Sequence, residues 1–225
     1  MKKYLLALTA LAAIGCDTST EGTHGNVSFT PTECGRIGCD FDNSIGVGGV
    51  VEMQISGIGG VSTAGVTIES RDPSLLSVIP VADVAGQPTW ELQGLAAGVA
   101  RLHVLTQGDD VLDLLEVPIQ ELTGLITQNI LGNAVGPAED AVYDEVWTVN
   151  ADEAVSFQVT PVIGLDAPTM GTYQYTATVD AGLQAGLLDQ NLGEGYLYFN
   201  VPAGQYAVSF DDDYGHSIDL LINAQ

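Results

Sequence analysis

The stretch running from Leu95-Ala96-Ala97-Gly98 to Leu112-Asp113-Leu114-Leu115 is matched without a gap by Val201-Pro202-Ala203-Gly204 to Ile218-Asp219-Leu220-Leu221, at an offset of 106 residues. Ala97-Gly98 falls on Ala203-Gly204, and Leu102 and Val104 fall on Val208 and Phe210. Upstream, Val51-Glu52-Met53-Gln54-Ile55 has a counterpart in Val155-Ser156-Phe157-Gln158-Val159 at an offset of 104, a difference that loops absorb. A chain that repeats itself at this spacing reads as two copies of one unit, each with its own core. Inside the copies the apolar period is two. Val51, Met53 and Ile55 alternate with Glu52 and Gln54; Tyr173, Tyr175, Ala177 and Val179 alternate with Gln174, Thr176 and Thr178; Leu197, Phe199 and Val201 alternate with Tyr198 and Asn200. Glycine and aspartate punctuation returns at short intervals, and no long segment holds a helical period. The pattern predicts an all-β chain of two sandwiches.

The first copy also carries local motifs. Ser70-Arg71-Asp72-Pro73-Ser74 precedes a short apolar run, and Ala97-Gly98-Val99-Ala100-Arg101-Leu102-His103-Val104 follows. This pairing resembles the bacterial immunoglobulin-like repeats of surface proteins, over residues 25 to 120. The second copy keeps Pro202-Ala203-Gly204-Gln205-Tyr206-Ala207-Val208 and lacks the Asp-Pro-Ser turn. The resemblance implies tandem immunoglobulin-like domains used for spacing or adhesion, with no shared catalytic site. The expected domains are 25–122 and 123–225. Gly132 to Pro137 is expected to be a loop after a first strand spanning 126–131.

The N-terminus has a different character. Met1-Lys2-Lys3, an apolar run from Tyr4 to Ile14 and then Gly15-Cys16 resemble a bacterial lipoprotein signal, with Ala13-Ile14-Gly15-Cys16 as the lipobox. About eleven apolar residues are too few to span a bilayer. The resemblance implies that residues 1–15 are removed, that Cys16 carries acyl chains such as palmitate, and that residues 16–24 form a flexible tether. It also implies a place in the bacterial cell envelope, held to a membrane by lipid.

Charge removes several functions. After residues 1–15 are cleaved, Arg36, Arg71 and Arg101 stand against 29 acids and no lysine remains. Phosphate loops, Schiff-base chemistry and lysine isopeptide crosslinks lack the amine they require. Binding to nucleic acid or to an anionic lipid surface is disfavoured for the same reason. With 46% hydrophobic and 15% charged residues the chain nevertheless folds, and its acidity suits salty or cation-rich surroundings. Cys34 and Cys39, in Cys34-Gly35-Arg36-Ile37-Gly38-Cys39, read as a disulfide of an exported protein. Zinc is the rival, but it needs two further ligands from His24, His103 and His216, and the spacing is not that of a finger.

No nucleophile elbow, zinc-protease helix or phosphate loop is present, so the expected function is non-catalytic: a surface interaction, adhesion or spacer module with an unknown protein or polysaccharide partner. A calcium-assisted carbohydrate-binding protein is the alternative, and a carboxylate-based hydrolase comes after it. No cofactor is expected beyond calcium, for which clustered oxygens are needed. Asp211 and Asp213, in Asp211-Asp212-Asp213-Tyr214-Gly215-His216, and Asp109 and Asp110, in the matching turn, are the candidate ligands; Asp40-Phe41-Asp42-Asn43 is a further cluster. Against them stands the reading of solvated acidic turns in a chain acidic throughout. Trp90 and Trp147, extended by Tyr173, Tyr175, Tyr196, Tyr198 and Tyr206, are possible sugar-stacking residues, weighed against core packing.

Overall fold

The computed structural model describes residues 19–33, 40–84, 86–138, 140–164 and 167–225. Cys16, Cys34 and Cys39 lie outside them, and with them the expected lipidation site and the expected disulfide. The first half contributes β1 (Thr20–Glu21), β2 (Val27–Glu33), β3 (Ile45–Gly46), β4 (Val50–Gly57), β5 (Thr67–Ser70), β6 (Leu76–Val84), β7 (Gln87–Gly94), β8 (Gly98–Leu105) and β9 (Val111–Gln120). They form the sheets β1-β2-β4-β7-β6 and β3-β9-β8-β5, antiparallel except for the short β3–β9 pair. The second half contributes β10 (Gly124–Leu131), β11 (Ala134–Ala138), β12 (Glu145–Val149), β13 (Val155–Ile163), β14 (Ala167–Pro168), β15 (Tyr175–Val179), α1 (Ala181–Ala185), β16 (Leu187–Asn191), β17 (Tyr196–Phe199), β18 (Gly204–Asp212) and β19 (Ser217–Ala224). Its sheets are β10-β13-β17-β16, with β14 beside β13, and β11-β12-β19-β18-β15.

The two halves repeat one topology. β2-β4-β7-β6 corresponds to β10-β13-β17-β16, and β3-β9-β8-β5 to β12-β19-β18-β15, with β12 again parallel to β19. Four strands in the order A-B-E-D facing G-F-C is the immunoglobulin arrangement, here with one short extra strand parallel to the last. A second hallmark is the tyrosine corner: Tyr206, early in the sixth strand, donates its hydroxyl to the Pro202 carbonyl at 3.0 Å. The first sandwich has Ala100 at that position. The chain is thus a pair of tandem immunoglobulin-like sandwiches. Among the described residues no helix is long and apolar enough to cross a membrane.

Alternation places the cores. Val51, Met53 and Ile55 point inward from β4, opposite Leu102 and Val104 of β8. In the second sandwich Trp147 packs tilted against Phe157 with ring centroids 4.9 Å apart, and Phe157 stacks on Phe199 at 5.9 Å. The stretch from Gly132 to Pro137 is not simply a loop: Ala134–Ala138 pairs with β12 as an edge strand. One partner strand suffices to order it, and an edge tolerates Pro137, which has no N–H to give.

The sequence repeat slips by one residue within the last hairpin. β8 and β18 align at the offset of 106, but Gly98 pairs with Ile119 whereas Gly204 pairs with Ala224. β8 and β9 shift register between Val104 and Leu105, and β18 and β19 do not. The structural counterpart of Asp113 is therefore the core residue Ile218, and Asp219, its partner in the sequence match, faces out.

Candidate functional site

The acidic turns are dispersed. Asp211 and Asp213 are exposed on either side of Asp212, whose side chain is only 1% exposed. Asp109 and Asp110 are exposed in the β8–β9 turn of the other sandwich. Among the described residues no three His, Cys, Asp or Glu side chains gather to hold a metal ion. Asp40 is consumed locally, its Oδ1 accepting from the Asp42 N–H at 3.2 Å and the Asn43 amide at 2.8 Å. Trp90 and Trp147 are core residues, 5% and 6% exposed, as are Tyr175 and Tyr206. Tyr196 and Tyr198 stand half-buried on the outer face of β17.

The histidines have structural surroundings. His24 is exposed and gives its backbone N–H to Asp113. His103 sits opposite Glu69 beside Arg71 and Arg101, and burial holds its pKa below the ordinary imidazole value. His216 Nδ1 meets Asp212 Oδ2 at 2.8 Å, while Asp212 Oδ1 accepts the N–H groups of Tyr214 and His216, both at 2.8 Å. Asp212 thus fixes the β18–β19 turn from below. Asp72 and Arg101 join the two motifs of the first sandwich: the Arg101 backbone N–H and Nε reach Asp72 Oδ2 at 3.0 and 3.2 Å. The guanidinium holds the Asp72 carboxyl below its ordinary value.

Two buried carboxylates carry unexpected weight. Asp113, 0% exposed, accepts N–H groups from His24 and Leu114 at Oδ1 and from Asn26 and Val27 at Oδ2, all at 2.8 Å. Burial alone would raise its pKa, but the four backbone donors outweigh that and hold it below the ordinary value. The segment Thr20 to His24, expected to belong to the tether, is thereby fastened to β9, with β1 pairing on β2. In the second sandwich Glu145 takes the Thr127 N–H at 3.1 Å, the Thr127 hydroxyl and the Trp147 indole N–H at 3.0 Å. An acid at an inward position of an apolar alternation, as in Asp113-Leu114-Leu115-Glu116-Val117, is the signal that marks such a residue.

The most elaborate site lies where the sandwiches meet. Thr169 to Tyr173, between β14 and β15, runs along β3 and the start of β4. Met170 N–H donates to the Ser44 carbonyl at 2.9 Å, Gly46 N–H to Met170 at 3.4 Å, and Val50 and Thr172 exchange N–H···O bonds of 3.1 and 2.8 Å. The Met170 side chain is fully buried in the first core. Glycines make this approach possible: a Cβ on Gly171, whose φ is +119°, would lie 2.9 Å from the Gly49 Cα. One on Gly46 would lie 2.1 Å from the Tyr173 hydroxyl, and one on Gly48 2.1 Å from the Tyr214 ring. Tyr173 is buried, shares a 3.1 Å hydrogen bond with Thr169, and has its pKa pushed up to about 12 by burial. The signal for this junction was the run Gly46-Val47-Gly48-Gly49 together with Gly171, too short to rank among the many glycines.

A cleft of about 240 Å³ opens at this junction. Val50 and Gln93 line it from the outer face of the first sandwich, and Thr172, Tyr173, Gln174, Asp213 and Tyr214 from the second. Tyr214 rests against Gly48, is held by its N–H bond to Asp212, and is 48% exposed.

No protein-family model matches the chain, and no curated protein matches it. Among solved structures, the Yersinia pseudotuberculosis adhesin InvE aligns over 91% of this chain and 61% of its own, at 14% identity and a TM-score of 0.33. Domains 5-6 of the S-layer protein SbsC align over 81% and 93%, at 13% identity and a TM-score of 0.29. The chain thus spans less than two thirds of the adhesin. The Bacteroides ovatus protein SGBP-B, solved with a mixed-linkage heptasaccharide, aligns over 80% and 42%, at 9% identity and a TM-score of 0.32. At these scores the fold assignment stands on the strand pairings themselves.

Proposed function

We propose that this chain is a non-catalytic cell-envelope module, tethered by lipid at Cys16, in which two interlocked sandwiches hold an interaction surface at a fixed distance from the membrane. The observation that carries this reading is the junction. Backbone bonds between Ser44–Val50 and Met170–Thr172, and Met170 in the opposite core, replace the flexible linker that ordinarily lets tandem domains swing. Burying the Met170 side chain contributes about 1.5–3 kcal/mol to holding the sandwiches together. A spacer requires that stiffness, and a hydrolase does not.

The fate of the carboxylates supports the same reading. Asp113, Glu145 and Asp212 are each taken up by hydrogen bonds within a sandwich, and none faces the junction cleft with a second acid at the separations glycoside hydrolysis uses. Among the described residues no hydroxyl or thiol hydrogen-bonds the His216 ring.

The test combines two measurements on the full chain in its native membrane and in detergent. Wild type sediments with membranes and Cys16→Ser does not. Spin labels on β6 and β16 report one narrow distance distribution. A broad distribution removes the spacer reading, and membrane retention of Cys16→Ser removes the tether.

A further inference from the structure

We infer that the junction cleft binds a neutral saccharide unit, stacked on Tyr214 and hydrogen-bonded by Gln93 and Gln174. The inference rests on the reading of the chain as a non-catalytic surface module and gives that module a ligand class.

Tyr214 is the starting point. Tyr214 is 48% exposed, yet its ring packs on Gly48 on one side and its backbone N–H is tied at 2.8 Å to buried Asp212. A rigid aromatic surface open to solvent costs little conformational entropy when a ligand covers it. The polar groups around it are uncommitted. Neither the Gln93 nor the Gln174 side-chain amide makes a hydrogen bond to another described residue, and both line the cleft. Each amide offers donors and an acceptor, the complement of a hydroxyl, which is both at once.

The other ligand classes fit less well. An anion meets Asp213 and no cation, in a chain whose formal net charge is −24. An apolar molecule would bury two unpaired amides, which is costly. An ammonium group would find one exposed carboxylate and the two amide oxygens, and would leave the amide N–H donors unpaired. The cleft, at about 240 Å³, sits just below the usual range for drug-sized ligands of about 300–1,000 Å³, which suits a single ring of a longer chain passing over it. Among the described residues the outer face of the first sandwich continues from Gln93 through Glu91 and Glu52 without a cation, polar positions beside the half-exposed Ile79 along which the rest of such a polymer would run.

Native gel electrophoresis of the detergent-extracted full chain, in gels carrying a soluble β-glucan, a galactomannan or a xylan, tests this directly. At least one polysaccharide retards the wild type. Tyr214→Ala weakens that retardation about tenfold or more, Tyr214→Phe keeps it within about twofold, and Gln93→Ala and Gln174→Ala each weaken it roughly threefold. The two glutamine variants leave the Tyr214–Gly48 contact intact, so they separate ligand loss from a loosened junction. Three results overturn the inference: no retardation by any of the three polymers, retardation lost in Tyr196→Ala and not in Tyr214→Ala, or binding of spermine alone. The spin-label distances read the junction independently, so the saccharide can fail while the spacer stands.

Discussion

Asp113 occupies a place where the other sandwich has Ile218, and the exchange of a core isoleucine for a carboxylate is compensated by four backbone donors at 2.8 Å. Asp113→Asn keeps one acceptor oxygen and turns an amide N–H₂ toward two of those donors, so unfolding free energy should fall by about 2–4 kcal/mol at neutral pH. The sign of the pH dependence follows from the lowered pKa of the native carboxyl. Its contribution is complete above the ordinary aspartate value of about 3.9 and disappears as pH falls through the lower native value. Melting temperatures of wild type and Asp113→Asn should therefore differ widely at pH 7 and converge in acid; a gap that stays constant down to strong acid would mean that charge has no part in the fastening. In the sequence the apolar alternation marks Asp113 as an inward acid, but the internal repeat points the other way. The self-match aligns it with Asp219, and only the register shift after Val104 shows that the two acids face opposite ways.

At the scale of elements, alternation was legible and contact between elements was not. Val51–Ile55, Tyr173–Val179 and Leu197–Val201 orient as their period-two patterns require, because each strand has one wet and one dry face. The strand Ala134–Ala138 escaped, since an edge strand with Val135 76% exposed has little apolar alternation to display. The junction escaped for another reason: it is built from backbone bonds and glycines, which leave no periodic trace. Gly171→Ala tests it. A Cβ at a positive φ, 2.9 Å from Gly49, should cost about 1–3 kcal/mol and broaden the distance distribution across the junction, leaving each sandwich folded by circular dichroism. An unchanged melting temperature together with an unchanged distribution would show that the backbone contact at Gly171 does not hold the halves together.

For the whole molecule, charge is the dominant property. A formal net charge of −24 with acids spread over exposed turns makes self-repulsion global, so added salt should raise the melting temperature through screening. Because Asp109 and Asp110 sit on one sandwich and Asp211 and Asp213 on the other, calcium and magnesium at equal ionic strength should raise it equally. A calcium-specific rise abolished by Asp211→Asn would instead establish a site in the Asp211–Asp213 turn. The fastening of residues 20–27 to β9 has a mechanical consequence. A pull applied through the residues before Thr20 reaches Asp113 and the β1–β2 pairing before it reaches the core. Those bonds are met in chain order, Thr20–Phe29 before His24–Asp113, so in a chain tethered at Cys16 as proposed the N-terminal fastening would yield stepwise before the body does.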